Sequence, residues 1–282
     1  ALGDPVESKM HSTDGGQTFA YAVERERNVR GWATRKTVTE AGSGALLYEQ
    51  ELGYTSGTTG RYDGSVTRFQ WRTDGVYRSY DYTYDDLGRV TEGDYADTTP
   101  GGTGTYDLTA GYDLHGNLTT LQRRDGSGWM DDLTYHYQGA GNQLTNVLDA
   151  NEDPGGFEQN DDFGRSDEIA YTYDRNGNLL EDRHKGLSVA YNYLNVPNEI
   201  DFGGGKRIQW LWTATGEKLL RTTLDAEGAT ETKRYAGGFT YRDADGTGAG
   251  DEALDHLGHA GGRVRYYESG DQLAYQYAFS DH

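Results

Sequence analysis

The sequence predicts an all-β protein built from many short antiparallel hairpins. Three observations support this: a short phrase of Tyr, Asp and Gly recurs along the chain, apolar residues alternate with period two, and Gly is abundant while Pro is scarce. Of the 282 residues, 41 are Gly, 4 are Pro and 23 are Tyr. A half-buried strand suits tyrosine, because the ring packs while the hydroxyl stays hydrated. Helical periodicity is almost absent, so we expect helix in under about 5% of the residues.

The recurring phrase is Tyr-x-Tyr-Asp-x-x-Gly, followed by Asn or Arg and then an aliphatic residue. Residues 82–90 and 171–179 carry complete copies. Degenerate copies occur at residues 135–144, 191–200 and 210–219. The candidate site residues of the repeat are Tyr82, Tyr84, Asp85, Gly88, Tyr112, Asp113, Gly116, Tyr171, Tyr173, Asp174, Gly177, Trp210, Trp212 and Gly216.

The residue types in the phrase indicate a specific turn. An Asp side chain accepts hydrogen bonds from backbone amides at the start of a type I turn, and a Gly three residues later supplies the left-handed conformation. This combination is typical of a hairpin that ends in a Gly bulge. The aliphatic residue then restarts the inward face of the next strand. In the copy at 210–219, Thr213 stands in place of Asp and Gly216 keeps the Gly position.

The order of these elements predicts the domain organisation. Residues 1–60 are expected to form an N-terminal β segment continuous with the array, with strands near 18–23, 31–39 and 46–54. Residues 61–282 are expected to form the repeat array, one continuous twisted antiparallel sheet wound as a spiral band or as part of a shell. The aperiodic acidic stretch 149–168 predicts a mobile surface loop. One sheet face is expected to carry Tyr, Trp, Leu and Val, and the other to be acidic.

Charge and composition exclude several classes of partner. The formal net charge is −20, which repels the phosphate backbone of nucleic acids. No apolar run approaches the ~20 residues of a membrane helix, so we expect no membrane insertion. The chain has no Cys, so disulfides and thiolate metal sites are impossible. An acidic protein of this kind suits a saline exterior, and we expect an extracellular or cell-surface, secreted location.

The Tyr-Asp-x-x-Gly phrases resemble the YD repeats of Rhs-type proteins. Residues 27–32, residues 62–66 and Trp71 are similar to segments that precede the repeats in Bacteroidetes-like members. Residues 235–241 and 262–265 resemble phrases near the end of the array, and residues 279–282 resemble the opening of an Rhs core phrase. The resemblance covers nearly the whole chain. It implies a hollow β-sheet shell of the kind found in bacterial polymorphic toxins, related to the barrels of animal teneurins, in which the wall sequesters a toxic cargo.

Three functions stay open at this point. The first is a non-catalytic structural segment of a secreted Rhs/YD-repeat protein, forming the wall of a β-shell. The second is a self-assembling extracellular filament or surface adhesion subunit, because unpaired strand edges invite pairing. The third is a carbohydrate-binding module that uses Tyr and Trp. The expected partners are the remainder of a longer polypeptide, copies of the chain joined through sheet edges, or a glycan.

The motifs of common enzyme classes do not occur, and we expect no catalytic site and no cofactor. One loop combines carboxylates with a Gly at a bend, an arrangement that is able to wrap Ca²⁺. Its candidate ligands are Asp243, Asp245, Asp251 and Glu252. The EF-hand template fails because its twelfth position is Leu254, so an acidic turn is the alternative to a weak calcium site.

Overall fold

The computed structural model describes residues 8–10, 21–55, 60–99, 101–139, 141–151, 153–246, 252–259, 262–267 and 272–277. Within these residues the regular elements are 22 antiparallel β-strands and one short 3-10 turn, Asp161–Phe163. The prediction of an all-β fold with very little helix is confirmed. No helix in the described part of the chain has the length and apolar character that crossing a membrane requires.

The strands form two sheets of eleven, and in each sheet the spatial order follows the chain order. The first sheet consists of β1 Ser8–Met10, β2 Tyr21–Arg27, β3 Ala33–Glu40, β4 Leu46–Gly53, β5 Arg68–Thr73, β6 Val76–Tyr84, β7 Val90–Asp97, β8 Leu108–Tyr112, β9 Leu118–Arg124, β10 Trp129–Tyr137 and β11 Leu144–Asp149. The second consists of β12 Tyr171–Tyr173, β13 Leu179–Asp182, β14 Leu187–Tyr191, β15 Pro197–Asp201, β16 Arg207–Trp212, β17 Lys218–Asp225, β18 Gly228–Ala236, β19 Phe239–Asp243, β20 Ala253–His259, β21 Gly262–Tyr267 and β22 Gln272–Tyr277.

The chain divides into two compact units. The first contains residues 1–142 and 147–159, and the second contains residues 143–146 and 160–282. Strand β4 pairs with β5, so the first sheet continues from the N-terminal strands into the strands of the repeat array. The predicted continuous ribbon is interrupted between β11 and β12. The aperiodic residues of the acidic stretch leave strand geometry there, so the described strands form two sheets rather than one.

A register shift occurs at the end of the strand in four copies of the phrase. The ladder shifts between Thr83 and Tyr84, and again between Leu211 and Trp212. Equivalent shifts precede Tyr112 and Tyr173. A bulge of this kind bends the strand and increases its twist. The residues that lead into the turn therefore also form the bulge at the end of the strand.

An aromatic strip lies on one face of the first sheet, on strands β5, β6 and β7. The rings of Phe69 and Trp71 stack at 4.9 Å, and Trp71 stacks on Tyr80 at 6.0 Å. Tyr82 stacks on Tyr80 at 5.7 Å, while Tyr95, 4% exposed, meets Tyr80 edge-on at 5.3 Å. Burial raises the pKa of the Tyr82 hydroxyl to about 12. The rings pack mainly on one another, as cross-strand pairs do.

The opposite face of the first unit is lined by ion pairs as well as by acids. Arg35 binds Glu49 and lies 3.6 Å from Glu51, and Arg68 lies 3.7 Å from Asp81. This face was predicted to be acidic, but basic side chains balance part of its negative charge. Pairing across adjacent strands explains this, since an unopposed row of carboxylates is destabilising in a sheet.

The acidic stretch is fastened rather than loose in its described residues. In the first unit, the Phe157 amide donates to the carboxylate of Asp131 at 2.7 Å, and Asp131 is fully buried. In the second unit, the Asn160 amide donates to Nδ1 of His184 at 3.1 Å. The acidic stretch, which was predicted to be mobile, is therefore anchored at two points. Its low hydrophobicity did not indicate this, because the anchors are the buried polar groups of Asp131 and His184.

Candidate functional site

The phrase turn at residues 85–89 is held by one aspartate. Oδ1 of Asp85 accepts from the Leu87 amide at 3.0 Å and the Arg89 amide at 2.9 Å. The Asp85 amide donates to the Arg89 carbonyl, which closes the loop. Gly88 lies at φ 80°, in the left-handed region that residues with a Cβ avoid. Asp85 and Gly88 thus occupy the roles that the phrase indicates.

The other copies repeat this geometry. Asp113 accepts from the amides of His115 and Asn117, both at 2.8 Å, with Gly116 at φ 89°. Asp174 accepts from the amides at 176 and 178 at 2.8 and 2.9 Å, with Gly177 at φ 85°. The turn at 213–217 keeps Gly216 at φ 85° but uses the Thr213 hydroxyl, which accepts from the Glu217 amide at 2.9 Å.

Two further copies use Asn in place of Asp. Asn192 accepts from the Leu194 amide at 2.9 Å, and Asn195 holds the left-handed position at φ 64°. Asn28 accepts from the Arg30 and Trp32 amides, with Gly31 at φ 80°. The copy at 28–32 is absent from the predicted set of repeats. An amide replacing the carboxylate three residues before a Gly is the signal that would have identified it.

Hydrogen bonds at these caps lower the pKa of the turn carboxylates. For Asp174 the largest cause is the Asn178 side-chain amide, and for Asp85 it is the Arg89 backbone amide. Burial acts in the opposite direction on Asp113, and the bonds from Asn117 outweigh it, so its pKa is lowered too. The stabilisation is therefore present above the ordinary pKa of 3.8 and is lost as the pH falls through the lowered values.

Consecutive turns at one edge of the first sheet are joined by side-chain bonds. Arg30 Nη1 donates to the Tyr62 carbonyl at 2.5 Å, and Arg61 Nη1 donates to the Asp85 carbonyl at 3.4 Å. Further along, Arg89 Nη1 donates to the carbonyl of residue 113 at 2.9 Å, and Asn117 Nδ2 to that of residue 141 at 3.4 Å. We call this edge, the described residues 28–32, 54–55, 60–66, 85–89, 113–117, 138–139 and 141–142, the turn ladder.

Aromatic side chains join the same turns in the reverse direction. Tyr84 donates its hydroxyl to the Val66 carbonyl at 2.5 Å, and Tyr112 donates to the Val90 carbonyl at 2.9 Å. Tyr54 and Tyr137 make equivalent bonds to residues 33 and 118 at 2.6 and 2.8 Å. In the second unit Trp212 Nε1 donates to residue 197 at 2.9 Å. The second aromatic of the phrase is therefore the contact with the preceding repeat.

The arginines of the ladder also cover the aromatic rings. Arg61 lies 5.0 Å from the ring centroid of Tyr84, and Arg89 lies 4.6 Å from that of Tyr112. In the second unit, neighbouring turns are joined by a hydrogen bond between amide side chains, in which Asn178 Nδ2 donates to Asn195 Oδ1 at 2.7 Å. This explains the choice of Arg or Asn after the Gly, because both donate to the neighbouring turn.

We expect Tyr112→Phe to lower the free energy of unfolding by about 1 kcal/mol, the usual net value of one hydrogen bond. The Phe ring keeps the packing and loses the bond to the Val90 carbonyl. Tyr62→Phe is the matched control, since this ring is 72% exposed and its hydroxyl makes no hydrogen bond with the described residues. Urea unfolding measures both, and an equal effect of the two changes would contradict the coupling role.

We expect Gly177→Ala to cost about 1–2 kcal/mol, the price of a Cβ in the left-handed region. A Cβ there meets no atom within 4 Å, so the cost is conformational alone. Gly177→Asn is expected to cost clearly less, because Asn195 holds the same position in the next copy. Urea unfolding followed by circular dichroism and by tryptophan fluorescence, to which Trp210 and Trp212 of the second unit contribute, measures both variants. Equal losses for Ala and Asn would count against this explanation.

In the described part of the candidate calcium loop, the carboxylates bind other groups of the protein. Asp243 is 1% exposed, and its Oδ1 accepts from the Asp245 and Gly246 amides at 3.1 and 3.0 Å. Glu252 binds Arg234. Asp251 lies outside the described residues. The described part of the chain has no group of three or more acidic, His or Cys side chains suited to a metal. Calcium binding stays a prediction, which calorimetry with Ca²⁺ tests.

The sequence matches no protein-family model and no curated protein. Comparison of the fold with solved structures gives a clearer result. The chain is similar in fold to TcdB2-TccC3. The crystal structure of TcdB2-TccC3 aligns with 98% of this chain at a TM-score of 0.51 and 14% identity. That of TcdB2-TccC3-Cdc42 aligns with 98% at 0.50 and 14%.

This chain spans 17% of the length of each TcdB2-TccC3 chain. At 14% identity the likeness establishes the fold alone, an array of antiparallel hairpins. The shared fold fits the resemblance to Rhs-type YD repeats that the Tyr-Asp-x-x-Gly phrases carry. The turns capped by Asp85, Asp113 and Asp174 are the structural form of those phrases in this chain.

Proposed function

We propose that this chain is a non-catalytic scaffold segment of an Rhs/YD-repeat protein and forms part of the wall of a β-shell. The observation that carries the proposal is the turn ladder. Each hairpin is bonded to the hairpins before and after it, so stability is passed between neighbours as in other repeat proteins. Such an array is able to extend over a large area, which is what a wall requires.

The chemistry of the repeat also supports a mechanical role. The aspartates of the phrase are occupied by backbone amides, and the tyrosine hydroxyls by backbone carbonyls. Because these side chains are hydrogen-bonded to the backbone, they stabilise the hairpins, and we infer no catalytic role for them. The fold likeness to TcdB2-TccC3 over 98% of the chain adds to this support.

The wall proposal is tested by cryo-electron microscopy of the complete polypeptide that contains this sequence. We expect residues 21–246 to lie in the wall of a hollow particle, with one sheet face toward the interior and the other toward solvent. Protease treatment of the same sample should leave enclosed segments intact. Bulk solvent on both faces would overturn the proposal. Stacking into a solid fibre would instead favour the filament subunit.

We also propose that the protein acts outside the cell or at its surface. The support is compositional: the charge of −20 and the absence of Cys suit a protein that works in salt without needing a redox environment. Immunodetection in separated culture medium, surface and cytosolic fractions tests this. Retention of all the protein in the cytosol would contradict it.

A further inference from the structure

Four tips of the turn ladder expose large apolar side chains. Val29 is 77% exposed, Tyr62 72%, Leu87 71% and Leu114 98%. They lie in four successive turns at one edge of the first sheet. Single exposed apolar residues are ordinary on a protein surface, whereas a row of them marks an interaction site.

The turns at the opposite edge of the same sheet provide an internal comparison. The tight turns there expose Ser43, Asp74 and Ser127. Large apolar residues near that edge are less exposed than the ladder tips, at 39% for Leu46, 47% for Tyr106 and 40% for Trp129. Both edges are built from hairpins with the same strands, so hairpin geometry does not demand apolar tips. The cap residue and the Gly are fixed by the turn, while the residues between them are free to be polar. The apolar choice at the ladder edge therefore points to a use outside the turn itself.

The tips are held rigidly. Leu87 donates its own amide to Asp85 at 3.0 Å, and the Tyr62 carbonyl accepts from Arg30. Neighbouring turns are tied by the arginine and tyrosine bonds described above. The backbone under these tips is therefore ordered before a partner covers them, which lowers the conformational cost of docking.

We propose that this edge docks the same edge of a second copy of the chain. Neighbouring tips lie two strands apart, about 9.5 Å along the sheet. A second copy has the same period, so its tips fit between those of the first along the whole row. Two-fold contact of one patch with itself is the commonest form of oligomer interface.

Charge supports this occupant. The chain carries −20 overall, so two copies repel each other over most of their surfaces. The ladder edge is almost balanced, with three cations facing four anions: Arg30, Arg61 and Arg89 against Asp63, Asp85, Asp86 and Asp113. A second copy is therefore able to approach at this edge with little electrostatic penalty.

The size of the row sets the strength of the contact. Four apolar tips offer on the order of several hundred Å² per copy, less than the roughly 800 Å² per partner of a standard stable interface. We expect reversible association at micromolar or higher concentration. The contact goes beyond the scaffold role, because a wall segment in a single polypeptide needs no second copy.

Sedimentation velocity of the purified chain, from about 10 to about 500 µM, tests the proposal. The wild-type mass is expected to rise toward that of a dimer. Leu87→Asp combined with Leu114→Asp is expected to stay monomeric at every concentration. Phe202→Asp combined with Leu211→Asp adds the same charge at exposed apolar positions of the second unit, 41% and 57% exposed, and is expected to dimerise like wild type.

Circular dichroism confirms that each variant is folded before its mass is interpreted. A wild-type chain that stays monomeric throughout would overturn the self-docking proposal, as would a tip variant that associates as strongly as wild type. Neither result touches the wall proposal, whose readout is the image of the complete polypeptide.

Discussion

Gly156→Ala is expected to destabilise the first unit by about 2–3 kcal/mol, the range for a methyl group forced into a filled site. A Cβ at Gly156 would lie 2.5 Å from the Met130 carbonyl oxygen and 2.6 Å from Oδ1 of Asp131. Both atoms belong to β10 or to its fully buried carboxylate, so neither is free to move aside. The change pushes the chain off Asp131 and breaks the bond from the Phe157 amide.

The consequence reaches beyond the glycine. Asp131 has 0% exposure and is also bound by Nε of Arg123 at 2.6 Å. Once the Phe157 amide is withdrawn, Oδ1 of a buried carboxylate is left without that donor, which adds a desolvation cost. The acidic stretch then loses its anchor in the first unit.

Urea unfolding and hydrogen exchange at the Phe157 amide measure the effect. Gly128→Ala is the matched control, because a Cβ there meets no atom within 4 Å. We expect the control to change stability by less than about 0.5 kcal/mol. Similar behaviour of the two variants would show that the approach of residue 156 to β10 is not close in solution.

Mild acid is expected to weaken the anchor of the acidic stretch in the second unit through His184, which is 9% exposed. Nδ1 of its ring accepts from the Asn160 amide at 3.1 Å, and Nε2 faces Oδ1 of Asn146 at 2.7 Å. The amide nitrogen of Asn146 donates to the carbonyls of Phe163 and Arg165, so its oxygen is the atom that faces the ring. The ring is therefore neutral, with its proton on Nε2.

Burial lowers the pKa of His184 from its ordinary value of 6.5, and the nearby Asp182 carboxylate opposes this only in part. Above pH 6.5 the ring is neutral in the folded and unfolded chains. Below it the unfolded chain binds a proton that the folded chain resists, so the free energy of unfolding falls until the lowered pKa is reached. Each unit of separation between the two pKa values corresponds to about 1.4 kcal/mol.

The measurement compares unfolding at about pH 7.5 and about pH 5 for wild type and His184→Gln. Wild type is expected to lose more stability between these conditions than the variant, since the variant has no proton to take up there. His115→Gln is the control, because this side chain is 55% exposed. Identical pH dependence in wild type and His184→Gln would rule out a neutral buried ring.

The hairpin array was predictable because its determinants are local. In one turn, the Asp85 side chain accepts the backbone hydrogen bonds and Gly88 adopts the left-handed conformation. Asp174 and Gly177 do the same in another turn. The alternation of apolar residues then sets the faces of the strands. The turn at Asn28 escaped prediction only because the cap residue differs, although the spacing to Gly31 is the same.

The contacts between repeats could not be predicted, because they join residues that are far apart in the sequence. Arg61 and Asp85, and Tyr112 and Val90, are more than 20 residues apart, and they meet because two strands return the chain to the same edge. A sequence names these side chains as plausible turn or strand residues without naming their partners. Their role as the coupling between hairpins appeared only when the turns were stacked.

The strand class and the turn chemistry of this protein follow from the sequence alone, because each rests on residues close together in the chain, and the net charge follows from composition. The tertiary structure decided where the sheet is interrupted, how the acidic stretch is anchored by Asp131 and His184, and which apolar tips stand in a row. These features need groups from distant segments to share one place. Burial makes the loss of their hydrogen bonds costly, and no local sequence pattern records that cost.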